Sequence, residues 1–324
     1  MLRVGILSVA HLHAGSYQHS LGAHPRAELV GLWDEPERGR PFSERTGVPF
    51  FEEIDALLDA CDAVCVCSEN NNHLPLVQKA AARGKHILCE KPLVAREEDA
   101  VAMTSAVEAA GVVLMTAFPC RYSPAFTRLK ERIANGEIGR VRAICATNRG
   151  TCPGSWFIQK ELSGGGAMID HVVHVTDLIR DLLGEEPVKV QAQIGNNTYG
   201  QDWDDTAMVT MEFASGIFAT LDSSWSRPKK FKTWGDVTMT VVGEKGTIEL
   251  DMFGPGLGVY GENGYRSASY GSDLDAAMVD AFVRACLDGV PAPTSMHDGL
   301  QAARVAMAGY RSVEVGQPVS LVAS

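Results

Sequence analysis

The sequence has no hydrophobic run approaching the ~20 residues that a membrane-spanning helix needs, and it has no internal repeat and no low-complexity segment. A helical membrane anchor is therefore not expected. Runs of lysine and arginine are also missing, and the formal net charge is -11. Nucleic-acid binding relies on clustered cations against phosphate, so a polyanion partner is not expected either. Only Arg227, Lys229, Lys230 and Lys232 gather basic charge, and they read as a solvated loop face. Zinc-ligand spacing is absent as well. The cysteines, Cys61, Cys65, Cys67, Cys89, Cys120, Cys145, Cys152 and Cys286, are scattered, and the close pair Cys65 and Cys67 has no second Cys or His pair nearby. Several lie inside apolar runs, the pattern of reduced cysteines in an intracellular protein. No charged-then-apolar leader precedes the first strand pattern, so a cytoplasmic protein is expected.

What is present is an ordinary globular composition, 45% hydrophobic and 21% charged, on 324 residues, too many for one comfortable core. Two domains are expected, 1–120 and 121–324. In the first, short apolar runs at 3–9, 28–33, 63–67, 86–89 and 112–117 alternate with helix-period stretches at 14–23, 37–46, 54–60, 74–83 and 97–110. Nonalternating apolar strands separated by helices predict a doubly wound parallel sheet that binds nucleotide. After Phe118 the pattern changes. A helix near 124–135, a strand at 141–147 and a Gly-rich entry at 164–166 into a helix ending near Leu183 are followed by strands at 188–193, 207–213, 217–225, 237–242 and 247–250. Two helices, 274–287 and 299–315, close an α+β domain on a mostly antiparallel open sheet.

Ligands of an open parallel sheet bind at the carboxyl ends of its strands. The residues there are Ser8, Ala10, His11, Leu12 and His13, then Asp34, then Ser68 and Asn70 with His73 following, then Glu90 and Lys91. Asp34 stands where a dinucleotide fold places the acid that accepts from the adenosine ribose. The first turn has no glycine: Ser8, Ala10 and His13 occupy the three positions of GxGxxG. His11 and His13 lack a partner carboxylate in the sequence, so this loop is expected to work without metal. Lys91, between a buried strand and Pro92, suits a proton donor whose pKa burial would bring towards neutrality. Farther on, Asp170 and His174 lie four apart and share one helix face, where a carboxylate can orient an imidazole. Asp177 extends that stripe, and His171 points about a quarter turn away.

These residues resemble the Gfo/Idh/MocA family of oxidoreductases. Ser68 to His73 is similar to its TPNxxH segment, with Glu69 in place of the proline. Gly84 to Pro92 matches GKHVxxEKP, Gly136 to Gly139 matches GEIG, 164–177 matches GGGxxxDxxxHxxD, and Tyr310 to Leu321 looks like the family's ending. The resemblance implies a Rossmann domain, a C-terminal domain whose open sheet forms homodimer or homotetramer contacts, and hydride exchange with a nicotinamide. By position it makes Lys91 the proton-transfer lysine, Asp170 and His174 its partners at the substrate, and Glu90 a neighbour of the nicotinamide ribose.

The expected function is an NAD-dependent dehydrogenase, with NADP as the alternative cofactor, acting on a secondary alcohol or ketone of a sugar, inositol or related polyol. Arg121, Tyr122, Asn148, Trp156, Phe157 and His171 are its candidate substrate residues. The competing reading is a binding or regulatory protein on the same fold without the chemistry, for which the glycine-free loop is the ground.

Overall fold

The structure, a computed structural model, describes residues 1–231, 235–254, 256–261, 264–269 and 271–321; Lys232 of the basic cluster lies outside them. In chain order the first half runs β1 Leu2–Leu7, α1 Ala14–Ala23, β2 Ala27–Trp33, α2 Pro36–Thr46, α3 Ile54–Ala60, β3 Ala63–Val66, α4 His73–Ala82, β4 His86–Cys89, α5 Glu97–Ala110 and β5 Leu114–Thr116. It continues with α6 Pro124–Ala134, β6 Val141–Thr147, α7 Lys160–Ser163, α8 Ala167–Leu183, β7 Pro187–Gly195, β8 Thr206–Phe213, β9 Phe218–Asp222, β10 Thr238–Gly243 and β11 Thr247–Asp251. The last elements are β12 Gly256–Gly261, β13 Gly264–Ser269, α9 Leu274–Asp288, α10 Met296–Val315 and β14 Val319–Ser320. Among the described residues no helix is long and apolar enough to cross a membrane.

The chain divides into two compact units. Unit 1 holds Met1–Pro119, Glu161–Gly164 and Asp273–Leu300; unit 2 holds Cys120–Lys160, Gly165–Ser272 and Gln301–Ser324.

Unit 1 is built on a parallel sheet in the order β2-β1-β3-β4-β5. Every residue of β3 and β5 is buried, as are Val4 to Leu7 of β1, which is why these runs read as continuous apolar stretches: helices cover both faces of such a sheet. Sequence punctuation places the helix ends. Pro36 sits in the first turn of α2, and Gly47 follows its last turn at φ 75°, the left-handed region open to glycine. The chain returns to this unit long after leaving it. α9 packs on α1 and β1, with Ser16 donating to Asp275 at 2.5 Å and Arg26 pairing with Asp288 at 2.6 Å. The Asn70 and Asn71 side-chain amides donate to the carbonyls of Ser163 and Glu161, each at 2.8 Å.

Unit 2 carries a seven-stranded sheet in the order β11-β10-β6-β9-β8-β7-β14. Its pairs are antiparallel except β6 with β9, which run parallel. β8 alternates buried and exposed residues, the mark of a sheet covered on one face; α8 packs on β8 and α6 on β11. The β12–β13 hairpin and the short β14 lie beyond the expected elements. Gly254, Gly256, Gly258, Gly261 and Gly264 crowd the hairpin segment, and glycine carries little strand signal.

Candidate functional site

In unit 1 the polar residues collect at the carboxyl ends of β1 to β4, around the switch in strand order between β1 and β3. β1 runs into Ser8 at φ 67°, a left-handed conformation that a non-glycine residue adopts at a cost of roughly 1–2 kcal/mol. The tight turn of the dinucleotide fingerprint is thus made without glycine, which removes the ground for the binding-only alternative. The Ser8 amide donates to the Trp33 carbonyl at 2.7 Å and the His11 amide to the Cys67 carbonyl at 2.8 Å, while the Ser8 hydroxyl accepts from the Ala10 amide at 3.2 Å. The loop is thereby stitched to the ends of β2 and β3. Beyond it, Gly15 in the first turn of α1 has nothing within 4 Å of where a Cβ would stand. First-turn amides lack intrahelical acceptors, so this open helix start fits a dinucleotide pyrophosphate. Leu12 is exposed on the same loop.

Asp34, buried at the end of β2, accepts four hydrogen bonds. Oδ2 receives the Val9 amide at 2.8 Å and Arg38 Nε at 3.1 Å; Oδ1 receives the Glu35 amide at 2.8 Å and Arg38 Nη2 at 2.8 Å. Arg38 also donates through Nη1 to Glu69 Oε1, and Asn72 donates to Glu69 Oε2 at 3.0 Å. Burial would raise the Glu69 carboxyl, but its own amide, Asn72 and Arg38 together hold it below the ordinary value.

Glu90 is fully buried at the end of β4. Tyr17 donates to its Oε1, His13 Nδ1 stands 2.9 Å and His11 Nδ1 3.5 Å from that same oxygen, and the Lys91 amide donates to Oε2 at 3.2 Å. Burial alone would push Glu90 up; the charges of His11 and His13, the His13 hydrogen bond and Lys91 outweigh it and hold the carboxyl far below its ordinary range. Burial likewise pulls His13 down, yet Glu90 and Asp275 raise it above the usual histidine value. This corrects the view of His11 and His13 as lacking a carboxylate, because folding brings one from 77 residues away. The three residues offer possible metal-ligand atoms within 4.8 Å of one another. The 2.9 Å contact has the length of a charge-assisted hydrogen bond.

The turn after β4 is pinned from α4. Buried His73 donates from Nδ1 to the Pro92 carbonyl at 3.0 Å, and burial depresses its pKa, keeping the ring neutral. Lys91, 4% exposed, is held in that turn. Ser68 turns its hydroxyl to the Glu69 carbonyl at 3.1 Å. Asn70 gives its amide to Ser163, and its Oδ1 is buried with no protein partner among the described residues.

In unit 2, α8 presents Asp170, His171, His174 and Asp177; all but the half-buried His174 are buried. The helix start depends on Asp204, whose Oδ1 accepts from the Gly166 amide at 3.0 Å and whose Oδ2 accepts from the Met168 amide at 2.8 Å. Tyr310 donates to the same carboxylate at 2.9 Å. A Cβ on Gly165 would stand 2.2 Å from the Tyr310 hydroxyl, and one on Gly166 2.1 Å from the Asp204 carbonyl oxygen, so the glycine run permits this remote cap. Asp170 accepts from the indole of fully buried Trp225 at 3.2 Å. His171, expected a quarter turn away, brings Nε2 to 3.2 Å from Asp170 Oδ2, because its ring reaches back along the helix.

Asp177 and Asp181 engage Arg121 at 2.5 and 3.0 Å, so this guanidinium, expected near substrate, ties its segment to α8. Trp156 and Phe157 are buried and stacked with ring centroids 3.8 Å apart. Asn148 donates to the Asp236 carbonyl at 2.9 Å, and its Oδ1 is buried with no protein partner among the described residues. Tyr122 is half-buried. Asp204 and Trp225 escaped the sequence reading, where the acid-rich turn before β8 and the tryptophan ending a strand run were the available signals, and Tyr310 entered it only as the start of the closing stretch.

Residues 2–118 match the model of the oxidoreductase family NAD-binding Rossmann fold, GFO_IDH_MocA, and residues 126–249 that of the GFO/IDH/MocA C-terminal domain. The chain is 29% identical to the myo-inositol 2-dehydrogenase of Thermotoga maritima over 99% of this chain and 98% of that protein. It is 30% identical to the inositol 2-dehydrogenase of Rhizobium meliloti over 99% of each. The crystal structure of GenD2 from gentamicin A biosynthesis, in complex with NAD, is similar with a TM-score of 0.91 at 27% identity, covering 99% of this chain and 97% of that one.

Proposed function

Because this chain belongs to the Gfo/Idh/MocA oxidoreductase family, we propose that it exchanges a hydride between NAD and a secondary alcohol or ketone of a sugar, inositol or related polyol. The observation that carries this is the joining of an NAD-binding Rossmann unit to a buried lysine, Lys91, at the end of its fourth strand. NAD supplies the hydride-accepting carbon. Asp34 is the ribose acceptor, with NAD as the working cofactor and NADP as the alternative. Ser8, Ala10, His11, Leu12 and His13 face the pyrophosphate; Ser68, Asn70, His73 and Glu90 shape the rest of the cleft.

Lys91 takes the hydroxyl proton in oxidation and returns it in reduction. His174 holds the reacting hydroxyl, and Asp170, steadied by the Trp225 indole, completes the polar contacts. Tyr122, Asn148, Trp156, Phe157 and His171 line the polyol site, and Arg121 sets the frame around α8. The protein works without metal, in the cytoplasm, as a homodimer or homotetramer.

A panel of polyols and ketoses, followed at the cofactor absorbance with NAD and NADP, tests this reading. With the substrate found, Lys91→Met should lower kcat on the order of 100- to 10,000-fold while the NADH dissociation constant stays put. Chelator should leave turnover unchanged. Full turnover by Lys91→Met would remove the lysine from the mechanism, and zinc lost together with activity would overturn the metal-free reading.

A further inference from the structure

An ionised carboxylate offers about four lone-pair positions, and all those of Asp34 are filled by the Val9 and Glu35 amides and by Arg38 Nε and Nη2. A ribose hydroxyl that donates to Asp34 must therefore displace a donor. The two amides are fixed by the β1 turn and the start of α2, whereas Arg38 is 39% exposed on a long stem. Arg38 is the donor that gives way, and its third contact is already on Glu69. That carboxylate is 6% exposed, is fixed by Asn72, and is held below its ordinary pKa, so it is ionised at neutral pH.

The geometry points to Glu69 as the positioning residue that sets cofactor choice. It receives Arg38 when the ribose claims Asp34 and withholds the guanidinium from a 2'-phosphate. Without Glu69, Arg38 would be the planar, bidentate phosphate binder that an NADP site uses. With it, a 2'-phosphate meets two carboxylates against one cation, a repulsive arrangement that discriminates against the wrong cofactor. This rests on the reading of unit 1 as the NAD unit and Asp34 as its ribose acceptor.

Fluorescence titration with NADH and NADPH at one fixed salt concentration tests the assignment on the full-length protein. Wild type should favour NADH. Glu69→Gln, which keeps the shape and the Asn72 contact, should tighten NADPH binding on the order of tenfold and alter NADH binding by less than about threefold. Glu69→Asp, which keeps the charge, should stay near wild type, and Arg38→Gln added to Glu69→Gln should erase the gain. A Glu69→Gln protein with an unchanged ratio of the two affinities, or a gain that survives loss of Arg38, overturns the proposal. A wild-type protein that binds neither nucleotide overturns the reading of unit 1 and this proposal with it, a result distinct from either.

Discussion

Glu90 is a carboxylate removed from water and surrounded by compensation: Tyr17 donates, His11 and His13 contribute charge, and the Lys91 amide caps the other oxygen. Its partner His13 has a folded-state pKa above the ordinary 6.5, because Glu90 and then Asp275 outweigh burial and Lys91. A raised basic group contributes stability that is complete below its unfolded pKa and is lost as pH rises through the folded value. Glu90, depressed from 4.5, contributes above that pH and loses its contribution on acidification. In urea unfolding without cofactor, the stability difference between wild type and His13→Gln should therefore be greatest near pH 5–6, roughly between the two unfolded values, and shrink as pH rises from 6.5 through the raised folded value. A difference independent of pH would show that the pair carries no such linkage. His11, His13, Glu90 and Lys91 could be singled out in the sequence, because they follow apolar strand runs; Tyr17 and Asp275 could not. The cluster's convergence on one carboxylate could not be read there, because it depends on the strand order.

α8 illustrates a helix whose identity was legible and whose beginning was not. Its apolar positions and its closing Gly184, at φ 63°, mark the span and the end. Its start has no local cap; Asp204 supplies one from a different segment, with Tyr310 donating to the same carboxylate. Burial first, and then Asp204, raise the Tyr310 phenol well above its ordinary pKa, so it remains a donor. Asp204→Ala removes a helix cap worth about 0.5–2 kcal/mol and leaves the half-buried Tyr310 phenol without its acceptor at about 1–3 kcal/mol. The expected loss is about 2–4 kcal/mol by chemical denaturation, with Asp204→Asn losing less because one oxygen still accepts. A loss under about 0.5 kcal/mol for the alanine variant would place the capping of α8 elsewhere.

At the scale of the whole molecule, the seven-stranded sheet leaves one face with apolar residues in register. Val242 pairs with Ala143, and Ala143 with Phe218, in one row across β10, β6 and β9. Phe218 is 51% exposed, Met208 on the neighbouring β8 is 56% exposed and Val242 is 39% exposed. The row of Val242, Ala143 and Phe218 suits contact with another copy, which supports the proposed homo-oligomer. Light scattering should give a mass of two or four chains. Phe218→Glu, a change at an exposed position that leaves the core intact, should shift the protein towards monomer with little change in its circular dichroism. A monomeric wild type would end the assembly proposal.

The sequence by itself determined the elements of the parallel sheet, the change of architecture after Phe118, and the short list of ionisable residues at strand ends, because hydrophobic period and turn residues are local properties. Ala14–Ala23, Ile54–Ala60, His86–Cys89 and Val141–Thr147 begin and end where the pattern places them. The tertiary structure decided what depends on segments distant in the chain. It brings Asp273–Leu300 back to the first unit, gives Ser8 the left-handed turn expected of glycine, and sets Glu69 on Arg38 and Asp204 on α8. Each of these follows from which buried charge or open amide finds a partner when the chain closes on itself, and such pairings leave no periodic trace in the sequence.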